Sequence, residues 1–529
     1  MNLDKDLRSI QQARNLARLA YEAWLKYKDY SQQQVDQIVY AMAQAGYDAS
    51  GELAKMACDE SGFGVVEHKT IKNQFATKNV YDSIKNLKTV GIIAEESGGK
   101  VLKIASPMGV IAALIPSTNP TSTVMFKTLI ALKSRNAIVA SPHPRTAGCT
   151  SKAMSILNEA AVKAGAPEGL IQCLSEPTIE GTEALLKHRN IAVILATGST
   201  PMVKAAYSVG KPAFGVGSGN VPAFIERTAD YKKAVADIIY GTTFDNGTLC
   251  SSEQAIITDL PIKEKVVEEL KRQGGYFLSA GEKEKLSRAI QKDFRINPDI
   301  VGKPADFIAR YAGFEVPENT KVLIGHCYEV GKKDPLSMEK LSPILAFYEA
   351  DGWLEGCHRC IDLLNFGGIG HTMVIHSNDQ PVIMKFAMEK PAFRVLVNTV
   401  AAIGAVGYTT ALEPSMTLGP GTLGGSIISE NVSAKHLLNI KSLAFETSPV
   451  NQGNAITAFD IPSKSFKSDF MKEIEERLKA RAGNFPLKDS YLPKKVSEKK
   501  ESVTDKDQQV YGTGLTKSEI DKIIKDFTG

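Results

Sequence analysis

The stretch IAVILATGSTPMVKAAYS, residues 191–208, runs from six apolar residues through a single glycine into a segment with helical patterning. A short apolar run bounded by a turn reads as a buried strand. Gly198 permits close backbone approach, Ser199 or Thr200 can cap the following helix, and Pro201 suits its first turn. That arrangement presents a helix N-terminus to an anion such as a cofactor pyrophosphate. One glycine between strand and helix also occurs in many α/β proteins, so the stretch alone leaves an ordinary turn open. Its neighbours decide the fold. Upstream lie the strand-like VLKIA (101–105) and VIAALIP (110–116), a helix-compatible run to Lys133, then NAIVAS, TSKAMSILNEAAVKAG, LIQCLS and EGTEALLKH in alternation. Strands alternating with helices predict an α/β class with a parallel sheet covered on both faces.

Residues 1 to about 85 read as helical, with few Gly or Pro breaks. A second α/β series runs from about 222 to 418, including YKKAVADIIYGTTF, QAIIT and KEKVVEELKRQGG, and LGPGTLGGSII (418–428) reads as a crossing back toward the first. Beyond Gly453 an amphipathic segment, DFMKEIEERLKARAG, leads into a stretch rich in Lys, Glu, Ser and Asp that predicts a flexible linker. The final LTKSEIDKIIKDFTG regains helical order. Thr516 and Glu519 form a capping box, Leu515 and Ile520 a hydrophobic staple, and Ile520, Ile523, Ile524 and Phe527 an apolar stripe. So short a helix is marginal alone, so it predicts docking on a partner or on its own body.

The 529 residues carry 63 basic and 59 acidic side chains, a net charge of +4. No field of one sign points to nucleic acid or an anionic membrane, which leaves a small-molecule substrate. The polar N-terminus lacks signal-peptide character and no apolar run approaches bilayer length, so a cytoplasmic protein is expected. Seven scattered cysteines fit reduced thiols rather than a disulfide framework. Cys357 and Cys360, in the helix-like WLEGCHRCIDLLNF, have no second ligand pair and read as core residues rather than as a metal site.

Cys250 stands in FDNGTLCSSE (244–253), behind a turn made by Asp245, Asn246 and Gly247. A lone cysteine is a small buried hydrophobe as readily as a nucleophile, but a loop can aim a thiolate into a cleft. FGVGSGNVPAFIE contributes Gly215, Gly217 and Gly219 at a spacing that is not a phosphate loop, and reads as tight packing near a site.

In chain order, IPSTNPTST, AGAPEGL, ATGST, FGVGSGNVP, FDNGTLCSSE, EKLSPIL, NFGGIGHT and EPSMTLGPGTLGG resemble the aldehyde dehydrogenase superfamily. The resemblance is to its CoA-acylating branch, including the aldehyde dehydrogenase half of bifunctional alcohol/aldehyde dehydrogenases and acylating sulfoacetaldehyde dehydrogenase. It covers roughly residues 5–455. It implies a Rossmann-type cofactor domain over residues 1–89 and 109–218, oligomerisation strands over 90–108 and 428–460, and a catalytic domain over 219–427. An amphipathic helix (461–483), a linker (484–514) and a targeting helix (515–529) complete the chain. The resemblance further implies that Cys250 is the nucleophile and that Asn119 supports the oxyanion. Gly198 and Ser199 would form the nucleotide-binding turn, and Glu339 would hold the nicotinamide ribose. Hydride transfer would leave a thioester on Cys250.

Two departures from the hydrolytic pattern sharpen this expectation. Val216 stands where hydrolytic relatives carry the glutamate that activates water, so the thioester loses its hydrolytic base and CoA becomes the expected acceptor. His371, in GIGHT, where related acylating enzymes resemble this sequence, is then the expected proton acceptor, with a pKa suited to deprotonating a thiol. Where hydrolytic members place an acid against the adenosine ribose, this chain has SPHPRTA, with Ser141, His143 and Arg145, which admits NADP, while the resemblance to enzymes that often use NAD puts NAD first.

The expected activity is NAD(P)-dependent, CoA-acylating oxidation of a short-chain aldehyde, acetaldehyde ahead of sulfoacetaldehyde. A hydrolytic aldehyde dehydrogenase and a non-catalytic scaffold are the rivals. Expected partners are the aldehyde, CoA and further copies of the chain. The tail resembles peptides that package enzymes into bacterial microcompartments, which implies a shell or cargo partner.

Overall fold

The computed structural model describes residues 4–292, 295–448 and 450–451. Helices occupy the first part, from Lys5–Tyr27 to Val80–Ile84. The strands are β1 (Gly91–Glu96), β2 (Val101–Pro107), β3 (Val110–Ile115), β4 (Ala137–Pro142), β5 (Ile171–Cys173), β6 (Ile191–Thr197) and β7 (Ala213–Val216). There follow β8 (Val221–Ile225), β9 (Glu253–Asp259), β10 (Gly275–Phe277), the short hairpin β11 (Gln291–Lys292) and β12 (Arg295–Ile296), and β13 (Val322–His326). The last are β14 (Ile344–Ala350), β15 (Gly370–His376), β16 (Ala392–Val397) and β17 (Leu438–Ala444).

Five strands form one parallel sheet in the order β5-β4-β3-β6-β7. The chain winds outward from β3 through β4 to β5, then returns to the other side of β3 with β6 and β7. The switch point therefore lies between β3 and β6, where open α/β sheets place their ligand crevice at the carboxyl ends of the strands. All six residues of β3 are buried, as expected of a parallel strand covered on both faces. The helix Pro120–Lys133, which follows it, is buried on every side, so its sequence shows no single apolar face.

A second parallel sheet has seven strands in the order β10-β13-β14-β9-β8-β15-β16. The passage between the two sheets falls in residues 217–220, between β7 and β8. The stretch read from sequence as tight packing is thus two short strands in two different sheets, joined by a glycine-rich connection. A third, antiparallel sheet, β1-β2-β17, joins residues 91–107 to the far end of the described chain, with Leu438 opposite Pro107 and Ala444 opposite Val101.

Cys357 and Cys360 lie fully buried in the helix Gly352–Phe366, as core residues. Among the described residues no helix is long and apolar enough to cross a membrane, and no cluster of three or more metal-ligating side chains occurs. The expected helices at 461–483 and 515–529 and the linker between them lie outside the described residues.

Candidate active site

The carboxyl ends of β3 and β6 deliver the segments 116–119 and 197–199 to one cleft of about 410 Å³. The seven-stranded sheet meets it with its amino ends. Ser218 precedes β8, Cys250 and Ser251 precede β9, and Glu339 and Leu341 precede β14; all line the same cleft. The volume is in the range of small-molecule sites.

Asn119 occupies the N-cap position of the helix Pro120–Lys133, yet its side chain makes no capping hydrogen bond. The carboxamide is committed elsewhere. Its Nδ2 donates to the Thr248 carbonyl at 3.0 Å and to Thr118 Oγ1 at 3.1 Å, while Oδ1 accepts from Lys72 Nζ. Ser199 likewise takes the N-cap position of the helix Thr200–Ser208 without a capping bond, contrary to the capping role available to it from sequence. Its hydroxyl is left to the cleft, which Gly198 and Ser199 both line. The first-turn N–H groups of that helix have no intrahelical acceptors and suit an anion.

Cys250 sits on the loop after a turn in which Asp245, Asn246 and Gly247 all have positive φ, at 52°, 52° and 73°. Its Sγ is 3.2 Å from His371 Nε2, and His371 Nδ1 is 3.0 Å from Thr372 Oγ1. Arg394 Nε donates to that same hydroxyl at 3.2 Å. Burial, then the nearby Glu339 carboxylate, pushes the Cys250 thiol up to about 12, with Arg394 pulling the other way. Burial and the Arg394 charge push His371 down to about 3, so the pKa expected from sequence does not hold in the fold. The resting pair is a neutral thiol beside a neutral imidazole.

Gly219, which leads into β8, packs directly against the loop that carries Cys250 into the neighbouring β9. A Cβ there would stand 1.9 Å from the Cys250 carbonyl oxygen, so only glycine fits without displacement. Its N–H donates to Glu339 Oε1 at 2.9 Å. Burial raises the Glu339 carboxyl to about 7 against this hydrogen bond.

A second cleft of about 740 Å³ lies between the helices Ile179–Lys187 and Thr200–Ser208, with Ser141 and His143 in its wall. His143 and Met202 line both clefts, so the two form one tract ending at Cys250. Arg145 parts from Ser141 here: it lines the Cys250 cleft, its guanidinium 5.3 Å from the Phe63 ring. The acid missing after Ser141 has a counterpart in Glu183, which lines the larger cleft and pairs with Lys187.

Sequence reasoning missed Lys69 and Lys72. Both lie on the helix Val66–Gln74, nearly inaccessible at 2% and 4%, and both pair with the fully buried carboxylate of Asp245. Burial alone would raise the Asp245 carboxyl, but Lys72 and Lys69 outweigh it and hold it at about 2. Burial brings Lys72 down to about 8 despite Asp245. The only signal in the sequence was two lysines three residues apart on a helix, a spacing that usually marks a solvated face.

Two adjoining clefts at the switch point of one parallel sheet, with a cysteine of the second sheet in the wall and a buried histidine 3.2 Å from it, define the candidate site of an α/β protein. The sequence pattern of the Aldehyde dehydrogenase family matches residues 4–409, and the chain belongs to that family. It is 46% identical over 428 residues to the bifunctional aldehyde-alcohol dehydrogenase AdhE of Escherichia coli K12, covering 80% of this chain and 48% of that protein. The chain thus spans about half the length of such relatives. Among solved structures, an acetylating aldehyde dehydrogenase from Geobacillus thermoglucosidasius is 50% identical, with a TM-score of 0.84 over 85% of this chain and all (100%) of that one. A propionaldehyde dehydrogenase from the fucose-utilisation bacterial microcompartment of Clostridium phytofermentans is 29% identical, with a TM-score of 0.73 over 81% of this chain and 96% of that one.

Proposed function

We propose that the protein is a CoA-acylating aldehyde dehydrogenase that interconverts a short-chain aldehyde and its acyl-CoA through a thioester on Cys250. The observation that carries this reading is the pairing of Cys250 Sγ, in the wall of the cleft, with the buried His371 Nε2 at 3.2 Å; the resemblance adds that a buried valine, Val216, stands in the place of the hydrolytic carboxylate. Relatives named acetylating or bifunctional aldehyde-alcohol dehydrogenases support it.

The tract fits a dinucleotide. The larger cleft would receive its adenosine end beside Ser141 and His143, the N-terminus of Thr200–Ser208 its phosphates with Gly198 and Ser199, and Glu339 its nicotinamide ribose. NAD, or NADP in its place, would accept the hydride. Every proton and positioning step falls to the chain. Because the thiol lies far above the histidine in pKa, a preformed thiolate–imidazolium pair is costly. The proton therefore moves to His371 Nε2 as Sγ bonds to the carbonyl carbon. The growing oxyanion is received by the Cys250 backbone N–H and by an Asn119 N–H released from the Thr118 hydroxyl. Loss of hydride gives the thioester. Without a base at 216 to activate water, the thiol of CoA is the better nucleophile; His371, having released the first proton to solvent, takes the CoA proton and returns it to the Cys250 sulfur as the acyl-CoA leaves.

Around Cys250 the walls are largely apolar, with Leu249, Ile296, Val301, Val406, Met416 and Leu418, and the charged lining side chains are Glu339 and Arg145. The apolar walls suit a small neutral aldehyde such as acetaldehyde, while Arg145 is the group through which sulfoacetaldehyde would be held, so direct comparison of the two substrates decides between them. The resemblance to enzymes that often use NAD puts NAD ahead of NADP. Exposed Ile440 and Leu443 on β17 support assembly of copies through the antiparallel sheet, and the tail would direct the enzyme to a microcompartment. The test is NAD and NADP reduction with each aldehyde, with and without CoA. CoA-dependent acyl-CoA formation is expected, and carboxylate formation without CoA would overturn the reading. Loss of shell association on truncation after Gly483 would support the tail's role.

A further inference from the structure

We infer that Lys72 is a positioning residue for the reaction proposed above: its ammonium fixes the Asn119 carboxamide with its N–H groups directed at the Cys250 loop. The inference rests on that reading and adds a residue to it.

The orientation follows from chemistry. A lysine ammonium carries donors only, so the carboxamide atom facing Lys72 Nζ is the oxygen, and the amide nitrogen must face the other way. On that other side lie Thr248, two residues before Cys250, and the Thr118 hydroxyl. A fixed backbone carbonyl holds one N–H. The other rests on a hydroxyl that can rotate away, which leaves a donor to be given to an oxyanion. Without Lys72 the carboxamide loses the partner that tells its two ends apart. The flipped amide would then offer an oxygen to the oxyanion.

The ammonium is itself held from both sides of the cleft. Lys69 Nζ donates to the Thr118 carbonyl at 2.9 Å and to Asp245 Oδ2 at 2.9 Å, and Lys72 donates to the same carboxylate oxygen. Asp245 also accepts from the Val65 N–H at 2.7 Å and from Thr248 Oγ1 at 2.6 Å. One carboxylate therefore ties the helix Val66–Gln74, the segment 118–119 and the loop 245–248 together. These are the segments that would bring the two oxyanion donors to one point. A buried cation retained beside a substrate cleft and hydrogen-bonded to a neutral amide does more than balance Asp245, because Lys69 alone would supply one opposing charge.

The experiment separates positioning from simple support of the loop. Lys72→Met and Lys72→Arg are compared with the wild type in aldehyde oxidation and in alkylation of Cys250 by iodoacetamide, a reaction that develops no oxyanion. Removal of one oxyanion donor costs about 10²- to 10³-fold, so kcat/KM in Lys72→Met should fall by roughly 10- to 100-fold. Its alkylation rate should stay within about twofold, since the nucleophile is untouched. Lys72→Arg, which keeps the charge and donors, should regain part of the loss. In an Asn119→Ala background, Lys72→Met should add almost nothing, because both act through one group. Equal losses in oxidation and alkylation, or a full additional loss in the Asn119→Ala background, would overturn the role alone. Should Lys72→Met not fold, the same split read on Lys72→Arg decides it. Absence of CoA-dependent turnover in the wild type would overturn the proposed function and this role with it.

Discussion

Replacing Gly219 by alanine tests the contact on which the site depends. The added Cβ would stand 1.9 Å from the Cys250 carbonyl oxygen and 3.0 Å from its carbon, but 3.5 Å from His371 Cε1. Ordinary carbon–oxygen contacts begin near 3.3 Å, so the two backbones must part by ~1.4 Å. The histidine is left in place. Gly219 does not have a left-handed φ, so the cost comes from this contact and not from an inaccessible conformation. A misplacement of about 1 Å in a reacting group costs about 100-fold in rate, or about 2.7 kcal/mol of barrier. Because Gly219 N–H also holds Glu339, KM for NAD should rise as well. The assay is kcat/KM for CoA-dependent NAD reduction by acetaldehyde, run beside thermal unfolding. Local overpacking of about 1–3 kcal/mol should lower Tm by only a few degrees in a chain this long. Activity within threefold of wild type would refute the claim that this approach positions the nucleophile.

Two further outcomes depend on pH. Glu339, raised to about 7 by burial, becomes the charged acceptor for a ribose only above that pH, whereas His371 at about 3 is neutral throughout the working range. The rate should therefore climb through about pH 7, the climb should vanish in Glu339→Gln, and it should persist in the residual activity of His371→Asn. A climb lost only in His371→Asn would assign it to the histidine. Asp245, burial notwithstanding, is held at about 2 by Lys72 and Lys69, below its ordinary 3.8. Its stabilisation is complete above the unfolded pKa and is lost as pH falls through the folded one. The Tm gap between wild type and Asp245→Asn, followed from pH 7 to pH 2, should be wide at neutrality and close below about pH 4. A gap that stays constant across that range would contradict the ion-pair assignment.

The parallel sheet around β3 was legible because its strands are continuous apolar runs separated by helical patterning, a signal that depends only on local sequence. β7 and β8 were not, since Gly217 and Gly219 interrupt a stretch whose two ends belong to different sheets. Cys250, His371, Asn119 and Glu339 were read through motif resemblance; the fold brings Cys250, Asn119 and Glu339 to one cleft, with His371 buried 3.2 Å from the Cys250 sulfur. Lys69 and Lys72 escaped because burial is a tertiary property. Asp245 was read as a turn former, and its positive φ agrees, but the turn also drives a carboxylate under the helix Val66–Gln74, where it pairs with both lysines. The pKa expected of His371 failed for the same reason, since no local pattern announces that a histidine at the start of β15 will be fully enclosed beside an arginine.

The cleft lies between the carboxyl ends of one sheet and the amino ends of another, and this makes the site a caliper. Neither jaw carries the reaction by itself. Asn119 and Ser199 ride on the first, Cys250, Glu339 and His371 on the second, and what matters to the chemistry is the gap. A methyl at 219 acts differently: it shifts the nucleophile within the second jaw and leaves the gap itself alone. In grafting one jaw onto another member of the family, the feature to match is the lysine–aspartate clasp across the opening, ahead of overall sequence identity.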